Sequence, residues 1–175
     1  MTESQRKLLA TIGAAFRGVE LGDGVSLHQT VAIDDYAGPE AERAAWAADE
    51  RGDWRRLVRD PELARIGGVG GLSFYDAAGL RFHLPAYLSL AVTEWDSADT
   101  GDVLGSLMHH LTSLDEYNTD RFAILTAEQR RCVADVLTFI RDEYEPYSYL
   151  DDISRAVSEY WRAEREGDGP EAGGG

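Results

Sequence analysis

The amino-acid sequence predicts a mainly α-helical domain of the α+β class with one small central β-hairpin. Apolar residues recur at helical spacing in several segments, most clearly after Thr126, where Thr126 and Gln129 form a capping-box pattern. Residues 72–88 (LSFYDAAGLRFHLPAYL) alternate apolar and polar side chains around a turn-like DAAG, which is typical of a hairpin. With 175 residues, 43% of them hydrophobic, the chain is long enough to bury a core.

The N-terminal part is predicted to form short helices separated by loops rich in glycine and proline. Ser26 is the expected N-cap of the second helix. Asp60 followed by Pro61 predicts the start of the fifth, because proline fits the first helical turn. The expected bounds are residues 4–17, 27–36, 40–52, 53–58 and 61–65.

The central segment is predicted to form two strands and the beginning of a helix. Residues 72–75 and 80–84 are the expected strands, joined by a turn at residues 76–79 whose Gly79 tolerates a positive φ. Pro85 cannot continue a paired strand, so a helix is expected to begin there and carry Trp95.

The C-terminal part is predicted to form three longer helices and a tail. Ser148 is the expected cap of the last helix, and Tyr160 and Trp161 lie on its apolar face. Residues 112–125 are expected to be mostly loop. The acidic, then glycine-rich residues 164–175 are expected to be disordered, which leaves one globular domain over residues 1–163.

The charge pattern bounds the possible partners. The formal net charge is −15 at pH 7. Residues 67–92 are nearly free of charge, whereas the flanking stretches 93–125 and 145–175 are strongly acidic. Such a chain repels nucleic-acid phosphates and attracts basic proteins, so we expect no direct nucleic-acid binding and a possible basic protein partner. A charge that serves solubility alone is the alternative.

Other classes are disfavoured by missing signals. No apolar run is long enough to span a bilayer and no apolar leader precedes the first helix, which predicts a cytoplasmic protein without membrane contact. The single cysteine, Cys132, excludes an internal disulfide and a cysteine-based zinc site, and its apolar setting predicts a buried, inert thiol. The loop around Gly22 and Gly24 lacks a phosphate-binding pattern, and no cofactor is predicted.

One polar constellation is a candidate ligand site. If the hairpin forms, Arg81 and His83 share a strand face, and Asp76 lies across the turn. Arg81 could then clamp an anion while His83 acts as acid or base; alternatively, an Asp76–Arg81 pair only fixes the hairpin. The candidate residues are Asp76, Arg81, His83 and Tyr87, with Asp34 and Asp35 as further candidates.

Metal and nucleophile chemistry receive less support. His109 and His110 are adjacent, so on a helix they point about 100° apart and do not share an ion easily. A site built from His28, Asp35 and His83 would need the fold to bring distant residues together, and no metal is predicted. Ser73 lacks the motif of a nucleophilic serine.

Several motifs together resemble an uncharacterised family of small bacterial proteins that is known only as a domain of unknown function. They are LGDGVSL at residues 21–27, IDDY at 33–36, the central 72–88 segment and the terminal Tyr160-Trp161 pair. The resemblance covers about residues 8 to 162. It implies one cytoplasmic domain in which the central segment matters, and it transfers no catalytic residue.

These observations favour a non-catalytic, acidic binding module for a basic protein, with an immunity- or antitoxin-like role as one concrete form. The alternative is a small-ligand-binding protein or enzyme with a pocket at the hairpin. A third possibility is a scaffold that presents an exposed apolar patch on the Trp161 helix.

Overall fold

The computed structural model describes residues 1–95, 97–144 and 149–163. These residues form α-helices joined by shorter helical segments, and none of them lies in a β-strand. The α-helices are α1 (Glu3–Ala15), α2 (Leu27–Asp34), α3 (Pro39–Ala48), α4 (Pro61–Gly68), α5 (Ala77–Glu94), α6 (Gly101–Thr112), α7 (Glu116–Phe122), α8 (Ala127–Tyr144) and α9 (Leu150–Ala156). The shorter segments are the 3₁₀ turns Trp54–Arg59, Gly71–Ser73 and Ala98–Thr100 and the π-helical turn Val157–Trp161.

The predicted central hairpin is wrong. Gly71–Ser73 is a 3₁₀ turn, and α5 begins directly after Asp76. Asp76 is the N-cap of this helix: its Oδ1 accepts a hydrogen bond from the Gly79 N–H at 2.7 Å. The DAAG sequence is therefore the first turn of a helix and not the turn of a hairpin, and Pro85 lies inside the helix rather than at its start.

The burial of α5 explains the error. Thirteen of its 18 residues are buried, so apolar side chains occur on every face and leave no amphipathic stripe. Without that stripe, the chance alternation of Leu80, Phe82 and Leu84 resembles a strand. α5 packs against α1 and Trp54–Arg59, which precede it in the chain, and against α7 and α8, which follow it.

The predicted helix starts are largely confirmed. Thr126 and Gln129 form both hydrogen bonds of a capping box at the start of α8. Asp60 caps α4 by accepting from the Glu62 N–H at 3.0 Å. Ser26 occupies the N-cap position of α2, although the interaction there comes from Gln29, whose side chain accepts from the Ser26 N–H at 3.1 Å.

Other predictions need correction. α7 lies in the stretch 112–125 that was expected to be loop, and α4 continues through Gly68 instead of ending near Arg65. The predicted last helix is α9 followed by the π-helical turn. Ser148 and residues 164–175 lie outside the described residues, and so do the cap and the tail assigned to them.

Tryptophan side chains tie the helices to the core. The Trp54 indole donates to the Phe16 carbonyl at 3.0 Å, and the Trp161 indole donates to the Leu111 carbonyl at 2.8 Å. Trp161 is 1% exposed, because it is packed against Phe122. An apolar patch built on Trp161 is therefore not at the surface.

Candidate functional site

Three of the predicted site residues share one face of α5. Asp76, His83 and Tyr87 follow one another at roughly one- and two-turn intervals, so they align along the helix. The Asp76 carboxylate does not pair with Arg81; besides capping α5, its Oδ1 accepts from the Val25 N–H at 3.0 Å. This carboxylate thus ties the loop before α2 to the start of α5.

Arg81, Asp34 and Asp35 do not join this face. Arg81 is half-buried, two residues from His83 and therefore on another side of the helix, and its buried Nε has no hydrogen-bond partner among the described residues. Asp34 and Asp35 are exposed at the C-terminal end of α2. The six-residue pocket expected at the hairpin is not assembled.

His83 and two tyrosines form a buried polar stack. The His83 Nδ1–H donates to the Gly79 carbonyl at 2.7 Å, which leaves Nε2 unprotonated, buried and without a partner. Tyr75 stacks on the imidazole with ring centroids 4.3 Å apart, and its hydroxyl lies 3.3 Å from that of Tyr87. Burial lowers the pKa of His83 to about 4 and raises the pKa of both tyrosines, so all three side chains are neutral near pH 7. Their complete burial makes them structural.

Asp49 is a polar residue that the sequence did not single out. Its side chain is 7% exposed, accepts from the His28 N–H at 2.7 Å and lies 2.6 Å from His28 Nδ1. His28 Nε2 approaches Glu62 at 3.4 Å. His28 thus links the end of α3 to α4. Nothing in the sequence around Asp49 distinguishes it from the other acids of that charged segment.

A second polar cluster surrounds Arg121 in α7. Arg121 is 5% exposed, and its Nη1 donates to the carbonyls of Leu72 and Tyr75 at 2.8 and 3.2 Å. Its Nη2 donates to Asn118 Oδ1 at 2.5 Å. Burial lowers the pKa of Arg121 from its ordinary value, but a guanidinium stays charged. Arg121 therefore fixes the chain before α5 onto α7.

Ser73, His110 and Asn118 have the spacing of a nucleophile, a base and an orienting group. Ser73 Oγ lies 3.2 Å from His110 Nε2, and His110 Nδ1 lies 3.2 Å from Asn118 Oδ1. Burial and the positive charge of Arg121, whose Nη2 lies 3.2 Å from His110 Nδ1, lower the pKa of His110. This setting disfavours the imidazolium that a general base forms when it takes the proton of a serine.

An open cleft of about 470 Å³ lies beside this cluster, between the start of α5 and α7. Tyr117 forms one wall: its ring covers the Arg121 guanidinium at 4.3 Å, and its hydroxyl donates to the Ser73 carbonyl at 2.5 Å. Of the predicted site residues, only Asp76 lines this cleft. The lining residues are Phe74, Tyr75, Asp76, Ala77, Tyr117, Asp120 and Arg121.

Comparison with known proteins places the chain in a protein family. A family model described as a family of unknown function, DUF6714, matches residues 4–165. The chain belongs to this family. No curated protein and no solved structure matches it at a significant level. The match agrees with the resemblance to an uncharacterised domain, whereas the bacterial origin expected from that resemblance stays a prediction.

The DUF6714 chain gives no sign of metal chemistry in the part that the structure describes. Over residues 1–95, 97–144 and 149–163, no three His, Cys, Asp or Glu side chains are grouped so that they could hold an ion. None of the helices in those ranges has the length and apolar character needed to cross a membrane. Cys132 is buried in α8, and burial raises the pKa of its thiol to about 12, so the thiolate is not formed near pH 7.

Proposed function

We propose that this chain is a non-catalytic binding module whose acidic surface holds a basic protein partner, with an immunity- or antitoxin-like role as one concrete form. The charge balance carries the proposal: 32 Asp and Glu residues stand against 17 Lys and Arg residues. A surface of this sign attracts a cationic protein over a long range and speeds its association at low ionic strength. It also opposes direct contact with nucleic acid.

The proposal takes the chain as one globular domain over residues 1–163 of a cytoplasmic bacterial protein without membrane contact. Its acidic surface includes the stretch 93–120. Glu94, Asp99, Asp102 and Glu116 are exposed there, and no ion pair between described residues involves them. Carboxylates without an internal partner are available to Lys and Arg side chains of another protein.

The state of the reactive side chains supports a non-catalytic role. His83 and Cys132 are buried, with pKa values displaced away from those of a useful base or nucleophile. Ser73 is exposed and lies 3.2 Å from His110 Nε2, but burial and the charge of Arg121 lower the pKa of His110, which disfavours the imidazolium that a general base forms.

Co-purification from the native host, followed by titration of the purified partner, tests this function. At about 50 mM salt the chain should retain a protein with net positive charge, and the affinity should fall at least about tenfold at about 500 mM salt, because ionic screening shortens the range of the attraction. Absence of a basic partner at either salt concentration, or an affinity that does not change with salt, would contradict the proposal.

A second candidate function is small-ligand binding, favoured by the cleft between α5 and α7. Its aromatic walls, the guanidinium of Arg121 at its side and the carboxylates of Asp76 and Asp120 suit a small molecule that carries both charges and an apolar part. This proposal moves the expected ligand pocket from the hairpin to the cleft, and of the earlier candidates it keeps Asp76.

Ligand-observed NMR with a panel of free amino acids tests the second candidate. Binding should be lost in Tyr117→Ala, which removes a wall of the cleft, and retained in Ile124→Ala, which shortens another exposed apolar side chain. Binding that is unchanged by Tyr117→Ala, or no binding by any amino acid, counts against the cleft.

A further inference from the structure

A groove of about 720 Å³ runs between α4, the end of α5 and the start of α6. The helices come close here because α4 presents glycine: a Cβ on Gly68 would lie 3.3 Å from Asp102 Cβ and 3.4 Å from the Val103 nitrogen. Apolar side chains from these three helices, from the residue after α4 and from the 3₁₀ turn Trp54–Arg59 line the groove, namely Val58, Pro61, Ala64, Val69, Leu90 and Val103.

Val69 marks the apolar edge of this groove. It is 70% exposed, and it is one of few large apolar side chains at the surface of the described residues. Val69 follows the last residue of α4 and is one of the residues that line the groove. An exposed valine next to a concave apolar groove provides apolar surface that a partner protein can bury.

One side of the groove carries acidic side chains, and the other side carries arginines. Glu94, Asp99 and Asp102 line the side formed by the end of α5, the 3₁₀ turn Ala98–Thr100 and the start of α6. None of these three carboxylates forms an ion pair with another described residue. On the opposite side, the charge of Arg65 is balanced by an ion pair with Glu62. Arg59 lines that side as well, and it is exposed.

We propose that this groove is the place where a basic, amphipathic segment of the partner protein docks. Aliphatic side chains of the segment lie against Val69 and Leu90, and its Lys or Arg side chains pair with Glu94, Asp99 and Asp102. A segment with one apolar and one cationic side matches a groove with an apolar lining and an acidic wall, so the charge complementarity selects a basic protein as the occupant. The inference rests on the proposed binding function and adds the location and the type of segment.

The probe is a synthetic amphipathic helical peptide of leucine and lysine, with a scrambled peptide of equal composition as the comparison. The test variant combines Glu94→Gln, Asp99→Asn and Asp102→Asn. The control variant removes the same charge from exposed acids outside the groove through Glu40→Gln, Glu128→Gln and Asp151→Asn. We expect the groove variant to weaken binding at least about tenfold and the control variant less than about threefold, because only nearby charges interact strongly.

A second pair of variants separates packing from charge. Val69→Ser should weaken binding of the amphipathic peptide several-fold, whereas Ile124→Ser, at another exposed β-branched residue that does not line the groove, should leave it unchanged. Both side chains are exposed, so both variants keep the fold, which circular dichroism confirms for each.

The outcomes distinguish the groove from the general binding function. Equal losses in the two charge variants, or equal binding of the scrambled peptide, would overturn the groove and leave a role for overall charge. No binding of the peptide would also overturn the groove. Salt-dependent capture of a basic host protein whose affinity is the same for the groove variant would retain the proposed function and reject this location.

Discussion

Asp76 shows how one carboxylate oxygen can hold two segments of the chain. It accepts from the Gly79 N–H at the start of α5 and from the Val25 N–H in the loop before α2. Position 79 must be glycine for this contact to form, because a Cβ at that position would lie only 2.4 Å from the Val25 carbonyl oxygen. Asp76, which the sequence indicated as a site candidate, thus joins the loop before α2 to the first turn of α5.

Replacing Asp76 should therefore lower stability. Asp76→Ala removes the N-cap of α5 and leaves two N–H groups without their acceptor, which should lower the free energy of unfolding by about 1–3 kcal/mol. Asp76→Asn keeps an acceptor oxygen and should lose less. Urea denaturation followed by circular dichroism measures both.

Asp34→Ala is the matched control, because Asp34 is exposed and its side chain makes no hydrogen bond within the described residues. Its stability should change by less than about 0.5 kcal/mol. If Asp76→Ala unfolded at the same urea concentration as the wild-type protein, the Asp76 cap would contribute nothing to stability.

Buried His83 should make stability depend on pH. Its pKa is about 4 in the folded protein because burial disfavours the imidazolium, and the ordinary value is 6.5. Since the unfolded chain binds a proton at a higher pH than the folded one, stability is fully present above pH 6.5 and declines as the pH falls toward 4. From about pH 7 to about pH 5, His83 should account for a loss of about 2 kcal/mol.

Urea denaturation across this range measures the effect, with His83→Gln as the comparison. The variant should have a flatter dependence on pH, although His110, whose pKa burial also lowers, should leave a residual slope. The same slope in both proteins would show that His83 is not the titrating group.

At the scale of elements, close helix packing depends on glycine in α4. A Cβ on Gly67 would lie 2.7 Å from Val103 Cγ2 and 2.8 Å from Tyr87 Cε1, so α4 meets α5 and α6 where it has no side chain. The fifth predicted helix was expected to end at residue 65, whereas Gly67 and Gly68 belong to α4. Glycine frequency alone does not separate a loop from a helix that needs a close approach.

Gly67→Ala should therefore destabilise the protein by about 1–3 kcal/mol, because its neighbours are buried and have little room to move. Gly13→Ala is the matched control in α1, where nothing lies within 4 Å of the added methyl group. It should raise stability by about 0.5–1 kcal/mol, since alanine favours the helix. Thermal denaturation measures the stability of both variants. A loss of stability in Gly13→Ala as well as in Gly67→Ala would contradict the packing argument.

The sequence predicted α8 correctly and α5 wrongly, and burial explains the difference. α8 lies at the surface with one apolar face, so the stripe of Cys132, Val133, Val136 and Leu137 and the cap at Thr126 identified it. α5 is buried on every face over most of its length, and the same reasoning assigned its first half to strands. A local sequence pattern reports which face of a helix meets water, so a helix with few exposed residues has no clear amphipathic pattern.

At the scale of the whole molecule, the candidate site was less predictable than the fold. The sequence placed Asp76, His83 and Tyr87 close together, and they share a face of α5. It assigned them to an accessible pocket, whereas His83 and Tyr87 are buried. Asp49 and Arg121 were missed as neighbours of this region because their contacts join residues far apart in the chain, and a single sequence holds no signal for such pairs.

The covering of α5 has a consequence during synthesis. The ribosome releases α1 and Trp54–Arg59 before α5, but α7 and α8 follow it, so the apolar side that they cover is bare until residue 144 has emerged. A nascent chain at that stage exposes a helix built mostly of core residues. We expect the chain at that stage to bind chaperones and to be prone to aggregation, whatever the stability of the finished protein.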